Sequence, residues 1–458
     1  MVGKTYDLKP KLVKKVDTAY RRIVTKIPVS DSMKILKDLR KYEPNSMGGQ
    51  PSVVWNRAEG IQVYDKYGNM WLDWSSGVLV ASAGHGREEI KEAIVNQVNH
   101  GLLHNYCFPS ELRARLVEKL SKLAPEGLDK VFLLTTGSEA AECAIKLAQT
   151  WGQEIEGNKK IGIISFEGAF HGRTLGAQMI GGIPSLKSWI VNLDPNFHQV
   201  PFPGDFRCED RSFKVFETTL KKKSVTPDQI AGVISETYQG GGACFMPKEY
   251  VKKLAQWCKE NRVLLIFDEI QAGFGRTGKM FGFEHYEVIP DLICCGKGIT
   301  SSLPLSAVIG RKEVMDLYPP GSMTSTHTGN PVCVAAALAN LEIIERENLA
   351  QRAEKVGEFL FHVLEEIRKD FSHIIGAVYG KGLVYGVHIV RNGSKEPDGE
   401  LASKIVENAV EKGLMLFAPV GFGGATIKTC PPLITTEEAI KDGASAFREA
   451  IEEALVER

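Results

Sequence analysis

From about residue 130 onward the chain alternates short apolar runs with helical patterns, and few architectures accept that order. Runs at 131–134, 161–165, 232–235, 263–267, 292–295 and 305–309 read as strands. Segments of helical period, such as 139–150 and 248–261, fall between them. Strands separated by helices imply a largely parallel sheet covered on both faces, an α/β fold. Ligands on such sheets bind beyond the carboxyl ends of the strands. Polar residues collect at those ends: Thr135-Thr136-Gly137-Ser138-Glu139, then Glu236, Asp268-Glu269 and Lys297. One pocket is expected to gather them.

At 458 residues the chain exceeds one simple core, so two or three structural units are expected. Lys plus Arg and Asp plus Glu number 56 each, so no global charge draws nucleic acid or a membrane. Nine cysteines include the adjacent pair Cys294-Cys295 but no C-x-x-C, which predicts reduced thiols, no metal site and a cytoplasmic setting. The start, Met1 to Leu8, has no apolar leader core, and no run approaches the roughly 18 apolar residues that span a bilayer. The first fifty residues are rich in Lys and Arg. Val13, Val16, Tyr20, Ile23 and Val24 recur there at helical spacing, which predicts a docked amphipathic segment with a solvated basic face.

Two charges stand out because each closes a buried-looking strand. Lys297 follows 292–295 on a Gly296-Lys297-Gly298 step, and Asp268 ends 263–267. A lysine and a carboxylate so placed suit pyridoxal 5'-phosphate (PLP). The amine forms a Schiff base with its aldehyde, and the carboxylate keeps its pyridine nitrogen protonated. A snorkelling lysine and a plain strand-end aspartate would read the same way. Gly137-Ser138 opens a helix after a strand, which offers a phosphate its free amides, or else is a serine cap with a glycine turn. Phe170, in Phe170-His171-Gly172-Arg173, suits stacking on a flat ring or ordinary core packing. The segment 273–279 imitates both G-x-G-x-x-G and a phosphate-binding loop. It lacks a following amphipathic helix, and Met280 stands where a magnesium-binding hydroxyl belongs.

Taken in order, these motifs resemble the class III (omega) PLP-dependent aminotransferases of fold type I. The resemblance runs from about residue 60 to 432 and includes Gly84-His85, 135–148, Phe170 to Thr174, 236–242, 268–278, 290–298 and 326–331. It implies a PLP-binding large domain at 70–345 and a small α+β domain built from 1–69 and 346–458. It implies a homodimer, or a dimer of dimers, with shared active sites. By the same resemblance, Lys297 is the Schiff-base lysine and Asp268 the partner of the ring nitrogen. Phe170 stacks on the ring beside His171, Gln271 lies near the phenolic oxygen, and Glu236 supports the ring region. Gly137 and Ser138 hold the phosphate, and Thr326 reaches the phosphate of the neighbouring subunit. Arg173, Lys428 and Trp74 are the expected substrate contacts.

The implied reaction moves an amino group from an amine or omega-amino acid to a 2-keto acid. The alternatives on the same fold are amino-acid epimerisation and phospho-lyase chemistry. Two departures from the commonest pattern bear on substrate. Lys428 stands where most members carry an arginine for the alpha-carboxylate, and Gly241 where glutamate-using members place a second glutamate. A lysine is a point charge without a planar fork, so a pyruvate-like acceptor is expected over 2-oxoglutarate.

Overall fold

The computed structural model describes residues 5–458; Met1 to Lys4, the head of the expected N-terminal segment, lie outside the described residues. The chain forms two compact units, Glu88–Gln351 and Met1–Arg87 with Arg352–Arg458.

The first unit is organised by a seven-stranded sheet. Its strands are β1 (Lys130–Leu134), β2 (Gly162–Phe166), β3 (Phe197–Val200), β4 (Ile230–Glu236), β5 (Leu264–Asp268), β6 (Leu292–Cys295) and β7 (Ser306–Gly310). They lie in the order β1-β7-β6-β5-β4-β2-β3. Only β7 runs against the rest, between β1 and β6. Six of these strands follow the apolar runs. The run criterion misses β3, Phe-His-Gln-Val, because an edge strand tolerates polar residues.

Helix α1 (Gly137–Glu156) lies across this sheet and shares one core cluster with Leu264 and Ile266 of β5, Leu292 and Cys294 of β6, and Val308 of β7. Half of its buried residues are alanine, which allows close approach: a Cβ on Gly232 of β4 would stand 3.1 Å from that of Ala148. Alternation sends Leu265 and Phe267 to the opposite face. There Phe267 stacks on Phe283 and Tyr286 at centroid distances of 5.9 and 6.0 Å. Each such buried aromatic or aliphatic side chain contributes about 1.5–3 kcal/mol. The unit also contains α2 (Leu175–Ile180), α3 (Lys248–Glu260) and α4 (Pro331–Arg346). After Asp268, residues 269–281 form turns that lead into the short 3-10 helix Gly282–Tyr286, not the amphipathic helix a dinucleotide fingerprint needs.

In the second unit, Met70–Asp73 pairs with Gln62–Tyr64 and, in parallel, with Leu414–Met415. The chain up to Arg87 belongs to this unit, which resumes at Arg352. A separate antiparallel sheet joins Ile375–Lys381, Val384–Ile389 and Thr426–Thr429.

The docked amphipathic segment expected near residues 13–24 is not helical. Val16–Asp17 and Arg22–Ile23 pair instead as short antiparallel strands. The β-branched Val and Ile residues favour extended backbone. Ile23 and Ile27 bury beside Trp71 and Val410. Arg21 locks the turn: its guanidinium donates to both oxygens of Asp442, at 2.6 and 3.0 Å, and to Lys412 O at 2.8 Å. The segment is docked, but by strands. Among the described residues, no helix is long and apolar enough to cross a membrane.

Candidate active site

Five carboxyl-terminal strand ends of the first unit meet in one place, as the strand order requires. Asp268 closes β5 directly opposite Glu236 on β4. His171, beyond β2, brings Nδ1 to 2.8 Å from Asp268 Oδ2, and the Ile270 amide donates to Asp268 Oδ1 at 3.1 Å. Glu236 accepts from the amides of Phe170, at 3.0 Å, and Gly240, at 2.9 Å. A Cβ on Gly240 would stand 2.5 Å from Gln271 Nε2 and 2.6 Å from Glu236 Oε1, so a side chain there would push both ends away. His171, Glu236 and Asp268 are all buried.

The adjacent acid, Glu269, points the other way. Its oxygens accept from the Thr237 hydroxyl and from the amides of Gly282, at 2.7 Å, and Phe283, at 2.9 Å. Of the two neighbouring carboxylates only Asp268 belongs to the pocket.

Lys297 follows β6 on the extended Gly296 and adopts φ +40°, a left-handed conformation that costs a non-glycine residue about 1–2 kcal/mol. The backbone is held there by Asn340 of α4, whose amide donates to the carbonyls of Gly298 and Ile299 at 2.8 and 2.9 Å. Ile270 fills the space beside Gly137 and Gly296, where a Cβ would stand 2.8 and 3.3 Å from it. That contact brings the start of α1 and the Lys297 step together.

At the start of α1, Thr136 and Glu139 form a capping box. The Thr136 hydroxyl accepts the Glu139 amide, and the Glu139 carboxylate accepts the amides of Thr135 and Thr136. This leaves Gly137 and Ser138 as open donors at the positive end of a 20-residue helix. Ser138 Oγ accepts the Arg173 amide at 3.1 Å, and the exposed Arg173 guanidinium lies 5.7 Å over the Phe170 ring.

The electrostatics follow from burial. Burial pushes the Lys297 amine down, and the charges of Asp268 and Glu236 oppose this only in part. Burial raises Glu236 to about 7 against the nearby His171 and two amides, and raises Glu269 to about 7 against its hydroxyl and amide donors. Burial alone would lower His171, but its bond to Asp268 and the charges of Asp268 and Glu236 outweigh that and raise it.

The folded state therefore holds protons on Glu236 and Glu269 up to about pH 7, where the unfolded chain releases them near 4.5. Stability falls as pH rises through that window, and the raised His171 continues the fall above it. The surface pairs Lys159–Asp228 and Lys248–Glu287 hold their acids at about 2, so their loss lies below this window. The Tm of the cofactor-free protein is expected to drop from about pH 5 to about pH 8. A flat or rising Tm in calorimetry would contradict these assignments.

The remaining expected site residues are more scattered. Thr326 is exposed on the loop before α4, between Thr324, whose hydroxyl accepts from Tyr106, and Thr328, which donates to Leu133 O at 2.6 Å. Lys428 is buried in the other unit, on Thr426–Thr429 opposite Gly386. Trp74, the third expected substrate contact, lies in the same unit as Lys428. Its ring is fully buried in that unit, 6.4 Å from Phe447, and a Cβ on Gly443 would meet it at 2.6 Å. One residue escaped the sequence reading: Glu142, one helical turn after Ser138, accepts from Thr174, Gly176 and Ala177. A carboxylate four residues from a candidate phosphate ligand was the available signal.

The pocket suits PLP on its own geometry. The open amides of α1 face a dianionic phosphate's needs. His171 Nε2 is buried without a hydrogen-bond partner, a polar atom beside Asp268 that the protein itself leaves unsatisfied. A parallel α/β sheet with a strand-end lysine, aspartate and such a cradle defines a fold-type I PLP enzyme.

The chain belongs to the class-III aminotransferases: the family profile "Aminotransferase class-III" matches residues 45–451. It is 36% identical to the alanine/serine racemase of Pyrococcus horikoshii, over 95% of this chain and 94% of the racemase. It is 33% identical to the 4-aminobutyrate aminotransferase of Mycobacterium leprae, over 92% and 96%. A crystal structure of a transaminase from the marine bacterium Virgibacillus superposes with a TM-score of 0.85 at 26% identity, covering 93% of this chain and 99% of that one. The protein is a PLP-dependent aminotransferase by family, with amine and keto-acid substrates.

Proposed function

We propose that the protein takes an amino group from an amine or omega-amino acid and delivers it to a short 2-keto acid, working as a homodimer or dimer of dimers in the cytoplasm. The carrying observation is Lys297, a lysine of lowered basicity at a strand end beside the buried Asp268–His171 pair. In this reading Gly137 and Ser138 hold the phosphate, joined by the Thr326 side chain from the neighbouring subunit. Phe170 would cover one ring face, Gln271 would lie near the phenolic oxygen, and Glu236 would support the ring region. When bound, PLP supplies an electron sink for the carbon that bears the substrate nitrogen.

The protein's own groups then do four things. Lys297 Nζ is neutral for more of its time than an exposed lysine, so it removes the proton from that carbon and returns it. Asp268 would keep a proton on the ring nitrogen, while His171 holds the carboxylate in place through Oδ2. Arg173 meets a distal carboxylate. Lys428 meets the alpha-carboxylate of the acceptor as a point charge.

A donor mixed with holoenzyme and no acceptor tests the reaction class. An aminotransferase yields one equivalent of carbonyl product per active site and stops. The second reading, racemisation, is favoured by the 36% identity to an alanine/serine racemase and by the Gly241 and Lys428 departures. It predicts no carbonyl product and an interconversion of L- and D-amino acids followed by circular dichroism.

For the acceptor, pyruvate or glyoxylate is expected to exceed 2-oxoglutarate in kcat/KM by about tenfold, because a short keto acid needs only the one cationic contact that Lys428 supplies. Lys428→Arg should raise 2-oxoglutarate use selectively. A wild-type preference for 2-oxoglutarate in steady-state kinetics would refute the acceptor assignment.

A further inference from the structure

We propose that Glu142 is a positioning residue that sets where Arg173 stands, and through it the selectivity for substrates with a distal carboxylate; this rests on the role given to Arg173 above. Ser138 and Glu142 are four residues apart on α1 and so share one face. Ser138 Oγ takes the Arg173 amide at 3.1 Å. Glu142 Oε1 takes the Thr174 hydroxyl at 2.6 Å and the amides of Gly176 and Ala177 at 2.8 and 3.0 Å. Four of the five residues 173–177 thus hang on two side chains of one helix turn.

Burial holds only the far end of this segment, where Ala177 is fully buried. Arg173, Thr174 and Leu175 are exposed, and Leu175 keeps 52% of its surface open. Nor does α2 cap itself. Thr174 occupies the N-cap position without making the usual bond to its own helix, and its hydroxyl donates to Glu142 instead. The carboxylate of α1 therefore supplies the cap of α2 from outside and satisfies two amides that would otherwise be open. The approach is close enough to exclude other side chains. Gly172 has φ +134°, where a Cβ would stand 2.3 Å from Ser138 Oγ, and a Cβ on Gly176 would stand 2.3 Å from Glu142 Oε2. Helix α1 offers its first amides to the phosphate and its second turn to the Arg173 loop. One rigid element then sets the spacing between the anion cradle and the distal cation.

The experiment compares holoenzyme carrying Glu142→Ala, Glu142→Gln or Arg173→Ala with the parent, using an omega-amino acid and a monoamine without a carboxylate. Hydrogen exchange of the Gly176 and Ala177 amides is read alongside. Glu142→Ala is expected to speed exchange at those amides by about tenfold, raise the omega-amino-acid KM by about tenfold and leave monoamine kcat/KM within about twofold. Glu142→Gln keeps a carbonyl acceptor and should recover most of both effects. Unchanged exchange in Glu142→Ala overturns the anchoring. Faster exchange with an unchanged omega-amino-acid KM overturns the positioning role where Arg173→Ala does raise that KM. If Arg173→Ala leaves the KM unchanged, the role of Arg173 is what fails.

Discussion

Lys297→Ala is expected to lower turnover by about 10⁴-fold or more while the protein stays folded and still binds PLP. The size follows from two functions lost together, the nitrogen that attaches the cofactor and the base that moves the substrate proton. Retention follows from geometry, because the open amides of Gly137 and Ser138 and the Asp268–His171 pair lie on other strands and helices. The backbone at 297 is fixed from outside by Asn340, so the truncation should not release the loop. Borohydride trapping of the parent holoenzyme, followed by peptide mapping, should place the cofactor on Lys297. An adduct on Lys279 or Lys312, or a variant that keeps a tenth or so of parental turnover, would end the assignment.

The parts of this site that a reader can find without coordinates share one property. β4, β5 and β6 are buried on both faces, so each is a continuous apolar run, and a charge that ends such a run is conspicuous. Glu236, Asp268 and Lys297 are legible for that reason. The choice between Asp268 and Glu269 is not, since both follow β5. It is made by alternation, which turns Glu269 toward Thr237 and the amides of Gly282 and Phe283.

Trp74 is less legible for a different reason. An aromatic beside a strand-end aspartate looks the same whether it faces a pocket or a core, and the deciding residue, Gly443, is remote in sequence. Glu142 hides as an ordinary polar position in a helix, because the amides it serves lie 34 and 35 residues away. The N-terminal segment misleads because Val and Ile at helical spacing also fit short strands, and the bond of Arg21 to Asp442 is invisible at that range.

Asp268→Asn should cost about 10²–10³-fold in kcat, the scale of losing one preorganised charge at a reacting centre. The amide keeps the shape and still offers an oxygen to the Ile270 amide, so folding should persist. What disappears is the negative charge that keeps a proton on the ring nitrogen. The same charge holds the His171 proton, since burial alone would push that imidazole down. The variant should therefore show a second signature that a merely structural role would not produce: His171, followed by NMR, titrates at lower pH than in the parent. Glu269 cannot take over, because its oxygens are engaged on the other side of β5. Glu236 is the only other acid in this contact group, and at about 7 it is only partly ionised near neutrality. Near-parental turnover in Asp268→Asn would move the ring-nitrogen role to Glu236. A large loss of kcat with the His171 titration shifted down would leave it with Asp268.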